Sequence, residues 1–128
     1  MFDFSFDDKA KDLDEILREI DVNVKEIEAA AIVSIEGLPI AARMPPEYED
    51  AIVAAMTAAM LSLGEKISNN LNRGVLQKIF VEGKDGHVIS VAAGSNAVLT
   101  VSTNKDAKLG LIFHEMEIAA KKIAEILG

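Results

Sequence analysis

Apolar residues recur at helical spacing near the start of the chain: Leu13, Ile16, Leu17, Ile20 and Val24 stand three or four apart and predict one buried stripe on a helix. Asp7 and Asp8 open that helix, and with Asp3 they suit its positive N-terminal end. Ahead of it, Phe2, Phe4 and Phe6 alternate with polar residues. The pattern reads either as a short flexible extended arm over residues 1–8 or as aromatic packing against the helix start. From residue 29 to 35 the chain becomes β-branched and continuous, which predicts a buried strand; Glu36-Gly37 supplies a turn and residues 38–43 return as a second strand. Pro39 has no N–H for a ladder, so that second strand lies at a sheet edge or carries its proline at a non-bonding position.

Met44-Pro45-Pro46 ends the sheet, and a long helix is expected over residues 47–71 with Asn72 and Gly74 as its stop. Residues 75–82, 88–93 and 97–103 are three further strands. Lys84-Asp85-Gly86 and Gly94-Ser95-Asn96 are turn signals that join them as a meander. A last helix begins at Asn104-Lys105-Asp106 and carries Leu109, Ile112, Phe113, Met116, Ala120, Ile123 and Leu127 on one face. The order α-β-β-α-β-β-β-α predicts an α+β sandwich: a five-stranded antiparallel sheet with helices on both faces, in one domain spanning residues 1–128.

The central helix is apolar on two sides. At 100° per residue, Ile52, Val53, Met56, Met60, Leu63, Ile67 and Leu71 share one face, expected to pack on the sheet. Opposite them lie Ala51, Ala54, Ala55, Thr57, Ala58, Leu61 and Ser62, and a polar surface resumes only at Glu65, Lys66, Ser68 and Asn69. Small residues admit a second backbone, so this opposite side is the expected contact with a second copy of the helix in a two-fold homodimer; the alternative is an ordinary exposed face on which alanine serves helix propensity. Val75, Ile79 and Val81 extend the same expectation to the third strand: if it is a sheet edge its unpaired backbone groups must be covered or paired, either across the two-fold or by Lys78 serving as an edge-blocking charge.

Composition narrows the chemistry. The 128 residues carry a net charge of −8 with no local basic cluster, which argues against nucleic acid and anionic lipid as partners. No cysteine is present, which removes disulfides and thiolate chemistry and fits a reducing compartment. The N-terminus lacks the basic and apolar regions of a secretory signal. The apolar stretches are broken by Thr57, Ser62 and Gly64 or too short to span a bilayer, so a cytoplasmic protein with no membrane insertion is expected.

His114-Glu115-Met116-Glu117-Ile118 has the start of a zinc-helix pattern, but Ile118 stands where the second imidazole is required, so no metal site is assigned. No phosphate-binding P-loop and no nucleophile-elbow serine occurs, and neither catalytic residue nor cofactor is assigned. A binding module is the expected class.

The residues Ala30-Ala-Ile-Val-Ser-Ile-Glu-Gly-Leu-Pro-Ile-Ala-Ala42, the helix string Ala54-Ala-Met-Thr-Ala-Ala-Met-Leu-Ser-Leu-Gly-Glu-Lys66, and Lys108-Leu-Gly-Leu with its helix resemble the roadblock/dynein light chain family, over residues 13–127. The chain looks like the prokaryotic stand-alone kind. Its most specific part is the hairpin Glu36-Gly-Leu-Pro-Ile-Ala41, followed at the right distance by the small-residue helix. The resemblance implies a roadblock, profilin-like fold, dimers built from the central helix and third strand with one sheet across the pair, and a non-catalytic role as scaffold or co-GAP of a Ras-like small GTPase. On that implication the GTPase contacts are Thr57, Leu61, Glu65, Ser68 and Asn69. Such a module accelerates hydrolysis by holding the GTPase's own switch residues in place. Arg73 is read as a charge at the helix C-terminus ahead of an arginine finger. Two further readings stand beside this one: a structural homodimer or assembly subunit, and a profilin- or PAS-like sensory domain, which an apolar cavity between sheet and helix would favour.

Overall fold

A computed structural model describes the backbone from Phe2 to Gly128 and the side chains from Asp8 onward. Its elements are α1 (Phe2–Asn23), β1 (Ile27–Ser34), β2 (Pro39–Arg43), α2 (Asp50–Asn70), β3 (Lys78–Glu82), β4 (Gly86–Ala92), β5 (Ala97–Asn104) and α3 (Leu109–Leu127). All five strands join one antiparallel sheet in the order β2-β1-β5-β4-β3. β2 and β3 are therefore its two edges. α1 and α3 pack side by side on one face, and α2 crosses the other from the β1–β2 side to β3.

The face under α1 and α3 holds the main core. Ile32 pairs with Leu99 and Ala30 with Val101 across β1 and β5. Leu17, Ile112, Met116 and Ile123 descend on them, all essentially excluded from solvent. The stripe read along α1 is thus the buried one. The edge position of Pro39 is as expected: it stands opposite Val33, where a register shift in β1 absorbs the missing donor.

Element starts depart from the sequence reading for local reasons. The backbone is helical from Phe2, so no extended arm forms; the packing of Phe2, Phe4 and Phe6 lies outside the described side chains. α2 starts at Asp50, because residues after Pro46 first make a turn in which the Tyr48 N–H donates to the Pro45 carbonyl at 3.1 Å. Its stop is the expected one: Asn72 and Gly74 both take positive φ, 56° and 89°, and the Arg73 N–H returns to the Ser68 carbonyl at 2.7 Å. β3 begins only at Lys78. α3 begins at Leu109, since the Asn104 carboxamide holds the Asp106 N–H at 2.9 Å in a turn. α2, at 21 residues, is long and apolar enough to cross a membrane by length and composition, contrary to the expectation that no stretch is; here it lies on the sheet.

Candidate interaction surface

α2 is turned over relative to the sequence reading. Ala54 and Thr57 are its buried residues, at 0% and 1% exposure, while Ile52, Met56, Leu63, Ile67 and Leu71 are each more than half exposed. The row Ala54, Thr57, Ala58, Leu61, Gly64 and Ser68 falls on one arc of the helix, and this arc faces the molecule. The close approach that small residues permit is used inside the chain. A β-carbon on Gly37, which sits at φ +93° in the β1–β2 turn, would lie 3.3 Å from the Ala58 side chain. A β-carbon on Gly64 would lie 3.2 Å from Leu76 and Ile79. Ala54 and Thr57 are therefore not available to a partner, and Ala58 and Leu61 are half-buried within the chain. Of that expected contact row only Ala51, Ala55 and Ser62 lie exposed.

Large residues turn outward because the sheet beneath is filled by small ones. Ala31, Val33 and Ala54 form the buried cluster on this face. Beside it the Thr57 hydroxyl donates to the Val53 carbonyl at 2.8 Å and accepts from Thr100 at 3.3 Å, and Thr100 in turn shares a 2.7 Å bond with Ser90. Each of these buried hydroxyls has a partner, which offsets the cost of burying it. The result is a thin, partly polar layer of small side chains.

An apolar groove of about 330 Å³ runs between α2 and the uncovered part of the sheet. Ala29, Val81, Val88 and Ser102 lie along it on the sheet, and Met44, Tyr48, Met56 and Met60 wall it. Three of the chain's five methionines thus meet here, and flexible thioether side chains suit a surface that repacks around what it binds. Met44 and Tyr48 were missed in the sequence because they follow strand β2 in a proline-rich turn; Met56 and Met60 were placed on the sheet side. Two signals were available: the large-residue stripe runs on to Leu71, past the sheet, and Gly64 interrupts the opposite arc where β3 must come close.

β3 is an open edge. Val81 is exposed and Val75, just before the strand, is 83% exposed, whereas Ile79 is half-buried beneath Gly64. Of the residues expected to meet a GTPase, Thr57 is buried and Leu61 half-buried. Ser68 is half-buried with its hydroxyl donated to the Gly74 carbonyl, and Glu65 and Asn69 are exposed. The structure therefore does not bring the five into one accessible patch. Arg73 donates from Nε to the Leu71 carbonyl at 3.0 Å, as a side chain satisfying the helix end does.

On the opposite side of the sheet His87 is buried, stacks on Phe80 with ring centroids 5.3 Å apart, and leaves Nδ1 unpartnered. His114 is exposed on α3. Among the described residues no three His, Cys, Asp or Glu side chains converge. The clear pKa departures among them belong to one exposed pair on α1: hydrogen bonding to Arg18 lowers Glu15, and Glu15 raises Arg18.

The Roadblock/LC7 domain matches residues 13–103. The MJ0714 protein of Methanocaldococcus jannaschii is 31% identical over 111 residues, covering 87% of this chain and 92% of that protein. Among solved structures, an MglB with tetrameric arrangement superposes with a TM-score of 0.85 at 19% identity, covering 92% of this chain and 89% of that one. The gliding protein MglB of Thermus thermophilus superposes with a TM-score of 0.82 at 17% identity, covering 92% and 90%. At these identities the structural likeness is one of fold.

Proposed function

Because this chain belongs to the Roadblock/LC7 domain family, we propose that it is a non-catalytic homodimeric module that binds and regulates a Ras-like small GTPase. The observation that carries the reading is the outward stripe of α2. Five large apolar side chains lie more than half exposed beside an unfilled apolar groove, and an isolated monomer rarely leaves such a patch in water. A two-fold axis brings the same stripe of a second copy against it. Val75, Val81 and the exposed Ala51, Ala55 and Ser62 border that contact, and the self-association of a relative solved in a tetrameric arrangement supports it.

The GTPase role follows from the roadblock resemblance, and Glu65 and Asn69 supply its accessible polar contacts. A module that regulates by shifting the GTPase's population must bind one nucleotide state more tightly than the other. The test is capture on the purified protein from lysate of its own source cells, with GDP and with a non-hydrolysable GTP analogue. A small GTPase retained preferentially with the analogue supports the reading. Retention of none in either state overturns the GTPase role and leaves the structural dimer. The groove also favours a second reading, a sensory domain that takes an apolar ligand, because it pairs apolar walls with the Thr57, Thr100 and Ser102 hydroxyls. Its open side joins the α2 stripe through Met56 and Met60, which favours the self-contact. A monomer in light scattering that gains thermal stability with an apolar ligand would reverse that preference.

A further inference from the structure

Sulfur enters this chain only through five methionines, since it has no cysteine. Those with described side chains divide sharply. Met116 is fully buried in the core under α1 and α3. Met44, Met56 and Met60 line the groove beside α2, and Met56, on the outward stripe, is 56% exposed. Met44 and Met60 are half-buried. A thioether that meets solvent is open to peroxide, and one shut in a core is protected from it.

We propose that Met56 is an oxidation site that controls association through α2: its sulfoxide holds copies apart, and reduction lets them rejoin. The proposal rests on the homodimer reading and adds its regulation. The thioether sulfur gives an electron pair to one oxygen of hydrogen peroxide. An S–O bond forms, the O–O bond breaks, and the other oxygen leaves as water; sulfur is oxidised by two electrons and peroxide is reduced by two. The return step takes a dithiol, from which sulfoxide reductases pass two electrons to sulfur, releasing water and leaving a disulfide.

The neighbourhood of Met56 makes the added oxygen costly in a contact. A sulfoxide oxygen accepts hydrogen bonds, and buried without a donor it loses those it had with water. Ile52, Leu63 and Ile67 share the outer side of α2 with Met56, and their side chains carry no donor. Of the hydroxyls along the groove, Thr57 already donates to the Val53 carbonyl and Thr100 to Thr57. In a single copy the exposed sulfoxide keeps its water, so oxidation shifts the balance toward the dissociated chain. The coupling is reciprocal: association shields Met56 from peroxide.

In the test, hydrogen peroxide is added to the full chain, sulfoxide is located by peptide mass spectrometry, and mass is read by light scattering over a dilution series. Met56 should oxidise before Met44 and Met60, and Met116 last; the Met56 rate should fall as protein concentration rises. The dissociation constant of the oxidised protein should rise roughly 100-fold, because both copies lose the burial of one apolar side chain, with circular dichroism unchanged. Reductases for both sulfoxide epimers, with dithiothreitol, should restore the dimer. Met56→Leu should keep its dimeric mass through the treatment, and Met56→Gln should be weakened without it. A dimeric mass with Met56 fully oxidised, or a Met56→Leu protein that dissociates as readily, overturns the switch and keeps the homodimer. A spectrum that collapses as the mass falls overturns the switch too, since unfolding then explains the dissociation. A wild-type protein that stays monomeric across concentrations overturns the homodimer and the switch together.

Discussion

The two faces of the sheet are finished to different degrees. Under α1 and α3, Leu17, Ile32, Leu99, Ile112, Met116 and Ile123 are fully buried and the core closes within one chain. Under α2, the buried apolar cluster is Ala31, Val33 and Ala54, a hydroxyl trio fills the next layer, and the large side chains point away. Each large apolar side chain left in water forgoes about 1.5–3 kcal/mol of burial. Five of them on one helix are a driving force for association, from which the loss of translational and rotational freedom must still be subtracted. One face closes the fold within the chain; the other leaves its large apolar side chains exposed.

Truncation should separate the faces, and the largest effect belongs to the closed one. Leu99→Ala leaves a cavity between β5 and the helices and should cost about 2–5 kcal/mol in chemical denaturation. A smaller cost would mean that α1 and α3 collapse into the space. Next comes Ile67→Glu, on the exposed stripe. It should leave the monomer's unfolding midpoint unchanged and raise the dimer dissociation constant roughly 100-fold or more, since both copies lose about 1.5–3 kcal/mol of burial. Light scattering over a dilution series reads this, and an unchanged mass would remove α2 from the interface.

The same contrast explains what could be read in the sequence. On α1 and α3 the apolar residues that recur at helical spacing are the buried ones, so the spacing of Leu13, Ile16, Leu17 and Ile20, and of Ile112, Met116 and Ile123, locates the core directly. The strands follow from β-branched runs and turn residues, and Pro39 is compatible with the edge that β2 occupies. On α2 the rule that the larger apolar side faces inward fails, because it assumes the core lies within the chain. Ile52, Met56, Leu63, Ile67 and Leu71 read as core, and Ala54 and Thr57 as interface, whereas the first five are exposed in this chain and the last two are buried. The groove was illegible for another reason: Met44, Tyr48, Val81 and Ser102 come from separate segments that only the sheet order brings together.

The orientation of α2 can be tested apart from any partner. Ala54 sits on the sheet with no exposed surface, so Ala54→Leu should overpack that layer and destabilise by about 1–3 kcal/mol. Ala51, one turn away and exposed, should accept Leu within about 0.5 kcal/mol. Equal effects at the two positions in denaturant melts would mean that α2 is not seated on its small-residue arc.

The smallest effect lies outside both layers. Glu15 and Arg18 pair on the outer surface of α1, where solvent screens them, and hydrogen bonding to Arg18 holds the Glu15 carboxyl below its ordinary pKa. A depressed carboxyl pKa stabilises the fold above the unfolded-state value, and that contribution is lost as pH falls through the folded-state value. Arg18→Ala should therefore return the Glu15 titration, followed by carboxyl NMR, to the ordinary range while leaving the melting temperature at neutral pH unchanged. A clear fall in melting temperature would mean that surface charge on α1 supports the closed face, and that its buried residues alone do not account for its stability.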